Sequence, residues 1–259
     1  MHRLREESGV FYIDQTSDFR PNGFLDKEDF ELSLEFAYEM TFGNEGSHRN
    51  HRSGGQARRK NGEIFADALQ GKLSEFAFYN LFEYSEVSIE PPDLRIMGLS
   101  EWDSADFVAN GYKIAIKSTK HFGNLLLLEI KDWDDEGRYI PNINKGHSCY
   151  DFFVLERIRP DPAGILKEKK LYYSDEAGFE EIFSTFSDVR WEANLTGFIS
   201  RGELVSEVIR KRQIIPKNSY LNKYTRMDAD NYYVQACDLH PMSELVSAIR
   251  NRAFIPDVL

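Results

Sequence analysis

Apolar positions along the chain fall into blocks of different period, and the blocks predict helices and strands in turn. Residues 26–40, DKEDFELSLEFAYEM, carry Phe30, Leu32, Leu34, Phe36 and Ala37 among acidic residues. This predicts a helix with Asp26 as its N-cap. Residues 43–63, GNEGSHRNHRSGGQARRKNGE, hold few apolar residues and five glycines, which predicts a long polar loop. Over residues 64–82 the helical period returns. Ile64, Phe65, Ala68 and Leu69 make one stripe; Leu73, Phe76, Ala77, Asn80 and Leu81 make another. Gly71 lies between the stripes and marks an expected kink or junction. The pair Pro91-Pro92 places the helix end before it.

Short strand patterns follow. Residues 102–108 lead into Asn110-Gly111, a strong two-residue hairpin signal, and residues 112–117 form the returning strand. After a turn at residues 121–123 come an apolar run at 125–130 and a mostly apolar strand at 149–158. Residues 176–186 and 202–211 read as helices, the second with Ser200 as its cap. Residues 231–239 read as a strand and 243–253 as a last helix. The order implies a mixed α/β chain of the α+β kind, with a central mixed β-sheet flanked by helices.

Composition narrows the function classes. The 259 residues are 41% apolar and 14% aromatic, ordinary for a globular chain and too apolar for a disordered one. No apolar run reaches the roughly 18 residues of a membrane span, and the first residues lack the apolar region of a signal peptide. Cys149 and Cys237 stand far apart with no CxxC, which excludes a disulfide scaffold and a cysteine-rich zinc site. Two isolated thiols fit a reducing, cytoplasmic setting. The pair His48 and His51 has H-x-x-H spacing but no further ligands to complete a zinc site. There is no G-x-S-x-G, P-loop or G-x-G-x-x-G.

A formal net charge of −11 opposes general adhesion to phosphate. The charge is uneven, however. Residues 48–60 contain Arg49, Arg52, Arg58, Arg59 and Lys60 and no acid, with Gly54-Gly55 allowing close backbone approach. Residues 208–226 contain Arg210, Lys211, Arg212, Lys217, Lys223 and Arg226, again without an acid, and interleave Tyr220 and Tyr224. Arginine forks suit phosphates and guanine edges, and interleaved aromatics suit stacking on bases. If the five cations of the first stretch all met phosphates, log affinity would fall with log salt at a slope of about −4.5. That is roughly a 500-fold loss between about 50 and 200 mM salt.

The sharpest local feature is the hairpin WDSADFVANGYKIAIKST, residues 102–119. It brings Asp106, near the end of one strand, toward Lys117, at the end of the other. A carboxylate binds a hard cation such as Mg²⁺. An ammonium beside it orients an attacking water or stabilises charge developing on a phosphate.

On Asp106, the turn, and Ile114-Ala115-Ile116-Lys117-Ser118, the sequence resembles the PD-(D/E)XK nuclease superfamily, the fold of most Type II restriction endonucleases. The stretch Gly71-Lys72-Leu73-Ser74-Glu75 is similar to that family's first core helix, which often carries a metal-facing glutamate. The resemblance spans residues 71–158. It implies a restriction-endonuclease-like core over about residues 64–190, within one nuclease domain covering 1–259. The basic loop at 43–63 precedes this core, and a recognition or structural segment at 191–259 follows it. It further implies a Mg²⁺-dependent endonuclease on double-stranded DNA. Asp106, Glu75 and the backbone carbonyl of Ile116 would hold the metal, and Lys117 would position the water. The two basic stretches would engage DNA. A homodimer and a companion DNA methyltransferase complete the picture. The sequence departs from the family at Ala115, where an acid usually stands. Glu75 is the preferred substitute, with Glu129 close behind. Two other readings stay open: a repair or junction-resolving nuclease on the same core, and a non-catalytic DNA-binding protein on a decayed one.

Overall fold

The computed structural model describes residues 1–43, 59–96, 105–145 and 148–252. Among these, no helix is long and apolar enough to cross a membrane.

Helix α1 spans Lys27–Thr41 and begins on a reciprocal cap. The Asp26 carboxylate accepts from the Asp29 amide, and the Asp29 carboxylate accepts from the Asp26 amide, each at 2.9 Å. Asp29 also accepts from Asn80 at 2.7 Å, which ties the cap to the neighbouring helix. Asp26→Ala should therefore lower stability by about 1 kcal/mol, read as a shifted urea midpoint with an unchanged slope.

Helix α2 spans Asn61–Tyr84. It runs unbroken through Gly71, where a β-carbon would meet no atom, so the expected kink is absent. The glycine that matters is Gly62. A β-carbon there would fall 2.1 Å from the carbonyl oxygen of Leu171, so only glycine lets the helix start pack on that backbone. One stripe of α2, with Phe65, Leu69, Leu73 and Ala77, is fully buried.

That stripe covers a four-stranded sheet of order β3-β4-β6-β7, formed by Phe107–Ala109, Tyr112–Lys120, Phe152–Arg159 and Glu192–Ser200. Strands β3 and β4 form the expected hairpin, with Asn110 and Gly111 at φ +49° and +91°, the pair of positive angles a tight hairpin turn needs. Strand β6 runs parallel to β4, and β7 runs antiparallel to β6. Helices α3 (Pro162–Glu168), α4 (Phe179–Phe186) and α6 (Met242–Arg250) join α1 and α2 on one face of this sheet. Their buried residues share a core with Ile114, Ile116, Val154 and Leu195.

The other face is closed differently. Helix α5 (Arg201–Glu203), capped by Ser200, continues into a π-helical turn at Leu204–Ile209. Beside it lies a second sheet, order β5-β11-β8, from Leu125–Glu129, Asn231–Gln235 and Ile214–Ile215. Leu126, Leu128, Tyr232 and Val234 pack against Ala115, Phe153, Leu155 and Ile199. The mixed α+β class thus holds, but a second sheet does much of the work expected of flanking helices on this face. A third, small sheet joins β1 (Arg5–Glu7) and β2 (Val10–Tyr12) to β9 (Tyr220–Leu221) and β10 (Thr225–Arg226).

Candidate active site

Strand β3 pairs only with residues Tyr112 to Ile114 of β4, so the remainder of β4 extends past its partner. Asp106 stands just before β3, and its Oδ2 accepts from the Ile116 amide at 2.6 Å. The carboxylate therefore caps a strand amide that no neighbouring strand takes up. Ile116 and Lys117 are adjacent, so the hairpin does bring Asp106 to the strand position beside the lysine. Residues 102–104 of the anticipated strand lie outside the described residues.

Strand alternation then separates the other expected participants. Ile114 and Ile116 face the helices, whereas Ala115 faces the second sheet. Lys117 shares the face of Ala115, and its register partner Leu155 belongs to the inter-sheet core. It is half-buried, with no side-chain hydrogen bond or ion pair among the described residues. Glu75 comes from α2 on the opposite face. Glu129 ends β5, alternating with Leu125 and Leu127 and not with the inward Leu126 and Leu128. It pairs with Lys131 at 3.1 Å, and burial raises its carboxyl above the usual range. The structure brings together Asp106 and Ile116, and sets Glu75 and Glu129 on faces other than that of Lys117.

Beneath α2 lies a cluster that includes a residue the sequence analysis missed. Lys72, only 6% exposed, donates to Glu75 at 2.6 Å and to the Asp93 carbonyl at 2.7 Å. Its ammonium also lies 4.3 Å from the centre of the Phe36 ring. Glu156, on β6, is completely buried, and neither carboxylate oxygen has a hydrogen-bond partner among the described residues. Burial, and then the nearby negative charge of Glu75, push its carboxyl well above the usual range. Glu156 is in register with Ser118, whose hydroxyl accepts from Gln70 of α2 at 3.2 Å. The signal lies in CYDFFVLERI: an acid in the interior of a mostly apolar strand, as Glu156 is, is rarely there for packing.

A groove of about 500 Å³ opens beside Asp106, walled by Asp93, Arg95, Phe76 and Leu32. It runs from the start of β3 to the segment at residues 90–95, whose Asp93 carbonyl holds Lys72. A separate trio, exposed His2 and Cys237 with partly buried Asp238, could share an ion, with His2 Nδ1 2.5 Å from Asp238.

The anticipated DNA contacts are dispersed. Arg49, Arg52 and Arg58 lie outside the described residues. Arg59 pairs with Asp67 at 2.8 Å, and Lys60 pairs with Asp175. Lys211 pairs with Glu207 at 2.6 Å, while Arg210 and Arg212 are exposed beside it. Lys217 precedes the β9–β10 hairpin and Lys223 sits in its turn, where Asn222 and Lys223 have φ +47° and +68°. That turn presents Tyr224 at 91% exposure beside Lys223 and Arg226.

No protein-family model, curated protein or solved structure matches the chain.

Proposed function

We propose that the protein is a Mg²⁺-dependent endonuclease of the PD-(D/E)XK kind that cleaves double-stranded DNA, as a Type II restriction enzyme does. The observation that carries this reading is the 2.6 Å contact fixing the Asp106 carboxylate to the strand that bears Lys117. An edge carboxylate is approachable from both faces of a sheet, and Lys117 and the Glu75 helix lie on opposite faces of this one. The donors also suit Mg²⁺, a hard ion that prefers carboxylate and carbonyl oxygen. Among the described residues, Glu156 leaves two buried carboxylate oxygens without partners. Asp106, Glu75 and the Ile116 carbonyl would hold the ion.

When bound, Mg²⁺ lowers the pKa of a coordinated water and neutralises charge on the scissile phosphate. Asp106 keeps its carboxylate in place through the Ile116 amide. Lys117 orients the water and stabilises charge that develops on the phosphate oxygens, leaving a 5′-phosphate and a 3′-hydroxyl. The hairpin at residues 220–226 supplies cations and an exposed ring for the DNA. A cytoplasmic homodimer acting beside a companion methyltransferase fits palindromic recognition. A repair or junction-resolving role on the same core differs in substrate shape and not in chemistry.

One observation favours a second reading, a DNA-binding protein without catalysis. Ala115, where the family carries an acid, is fully buried against the second sheet and could not host a hydrated ion. Incubation with plasmid and Mg²⁺ decides between them. Discrete fragments that vanish with EDTA support the enzyme. Intact plasmid with a gel shift supports the binder. A methyltransferase reading frame beside the coding region would favour restriction over repair.

A further inference from the structure

We infer that His2, Cys237 and Asp238 hold a zinc ion that staples the first residues of the chain to the end of β11. A ring nitrogen of His2, the Cys237 sulfur and an Asp238 oxygen all lie within 4.8 Å of one another. A tetrahedral zinc site with bonds of about 2.0–2.3 Å sets its ligand atoms roughly 3.3–3.7 Å apart, so small side-chain rotations bring the three onto one ion. The donor set selects the metal. Thiolate and imidazole suit zinc, whereas Mg²⁺ takes oxygen ligands. Three protein ligands leave a fourth position for water. His2 and Cys237 are exposed, so a hydrated ion reaches them from solvent.

Separate stretches of chain brace the trio. Cys237 and Asp238 lie in the 3₁₀ turn Ala236–Asp238 that follows β11. The Asp238 side chain is only 6% exposed, and its Oδ2 accepts from the His2 amide at 2.8 Å, which fixes the carboxylate. The Gln235 side chain donates to the His2 carbonyl at 3.1 Å, and the Leu4 amide donates to the Tyr233 hydroxyl at 2.9 Å. Both hold this segment on β11.

Two amide oxygens at the trio suit an ion that carries water. Gln15 Oε1 accepts from the Cys237 thiol at 3.4 Å. As the sulfur–zinc bond forms, the thiol proton passes to solvent, and Gln15 loses its donor. A zinc-bound water replaces it. Gln235 is 2% exposed, and its Oε1 is buried without a partner among the described residues. An unmet acceptor in a core is costly, and a water brought by the ion supplies the missing donor. Zinc binding here is independent of the nuclease reading above and uses none of its residues.

The test is Co²⁺ titration of the intact chain, reduced and free of any histidine tag. A thiolate-to-cobalt charge-transfer band should rise to saturation and bleach when Zn²⁺ displaces Co²⁺. Zn²⁺ should also raise the melting temperature and slow alkylation of Cys237, read by peptide mass mapping. Cys237→Ser should remove the band, while Cys149→Ser keeps it. His2→Ala and Asp238→Asn should each weaken Co²⁺ binding by more than about 100-fold, since even outer partners of a metal are worth about 10–100-fold. Absence of the band in the unmodified protein overturns the site. So does a band that survives Cys237→Ser, or an affinity that neither His2→Ala nor Asp238→Asn changes. Should Cys237→Ser fail to fold, equal alkylation of Cys237 with and without Zn²⁺ in the unmodified protein overturns it.

Discussion

Lys117→Ala is expected to reduce plasmid cleavage by about 10³-fold while leaving the gel-shift affinity for the same DNA nearly unchanged. Removing one preorganised donor that stabilises transition-state charge costs on the order of 10²–10³ in rate. Lys117 can be removed cleanly, because among the described residues its side chain bonds nothing. The fold should lose little, so a rate effect will report chemistry. Asp106 needs a subtler substitution, since its carboxylate also holds the Ile116 amide at 2.6 Å. Asp106→Asn keeps an oxygen acceptor for that amide and removes the charge a cation needs. It should melt close to the unmodified protein and fail to cut. Normal cleavage by Lys117→Ala would end its assignment, and an equal loss of DNA binding would move the residue from catalysis to substrate grip.

The second large effect is structural. Arg157→Met should lower stability by about 3 kcal/mol, or roughly 6–12 °C in melting temperature for a chain of this size. Arg157 is 1% exposed on β6. Its guanidinium donates to Asn194 at 2.9 Å, to the Ser17 carbonyl at 2.8 Å and to the Asp18 carbonyl at 2.7 Å. Burial lowers the pKa of this arginine, so its removal returns some desolvation cost. Against that, the buried Asn194 oxygen and two part-buried carbonyls lose a charged donor, at about 1–3 kcal/mol for the buried one and less for the others. The loss of acceptor partners outweighs the gain. Arg157→Lys should recover only part of the stability, because one ammonium cannot span the fork. A methionine variant as stable as the original, by denaturant titration, would show that residues 17–18 do not need this anchor.

Much of the scaffold was legible because local chemistry decided it. Asp26 caps α1 as its position before an acidic first turn implies. Asn110-Gly111 makes the turn because few other pairs accept two positive φ angles. The strand at Glu192–Ser200 was not foreseen, since both of its faces are buried and no alternation survives. The second sheet was equally hidden: β5 and β11 pair across about a hundred residues, and pairing at that range leaves no local pattern. For the site, a hairpin signal placed Asp106 beside the strand of Lys117. The same period of two that makes a strand readable also set Lys117 opposite Glu75, a consequence visible only once α2 is assigned to a face. Glu156 is hard to read from sequence because it stands in a mostly apolar strand whose pattern reads as packing.

The small sheet constrains the order of events during synthesis. Strand β2 runs parallel to β9, and Leu4 donates through its amide to the Tyr233 hydroxyl, 229 residues away. The Gln235 side chain likewise donates to the His2 carbonyl. Residues 2–12 thus have no place to dock until residues 220–235 have been made. Contacts of such separation slow folding, because a long loop must close before they form. Until then Leu4 and Phe11, whose core partners include Ile215, Met227 and Tyr233, stay uncovered, so this strand pair closes as a late clasp.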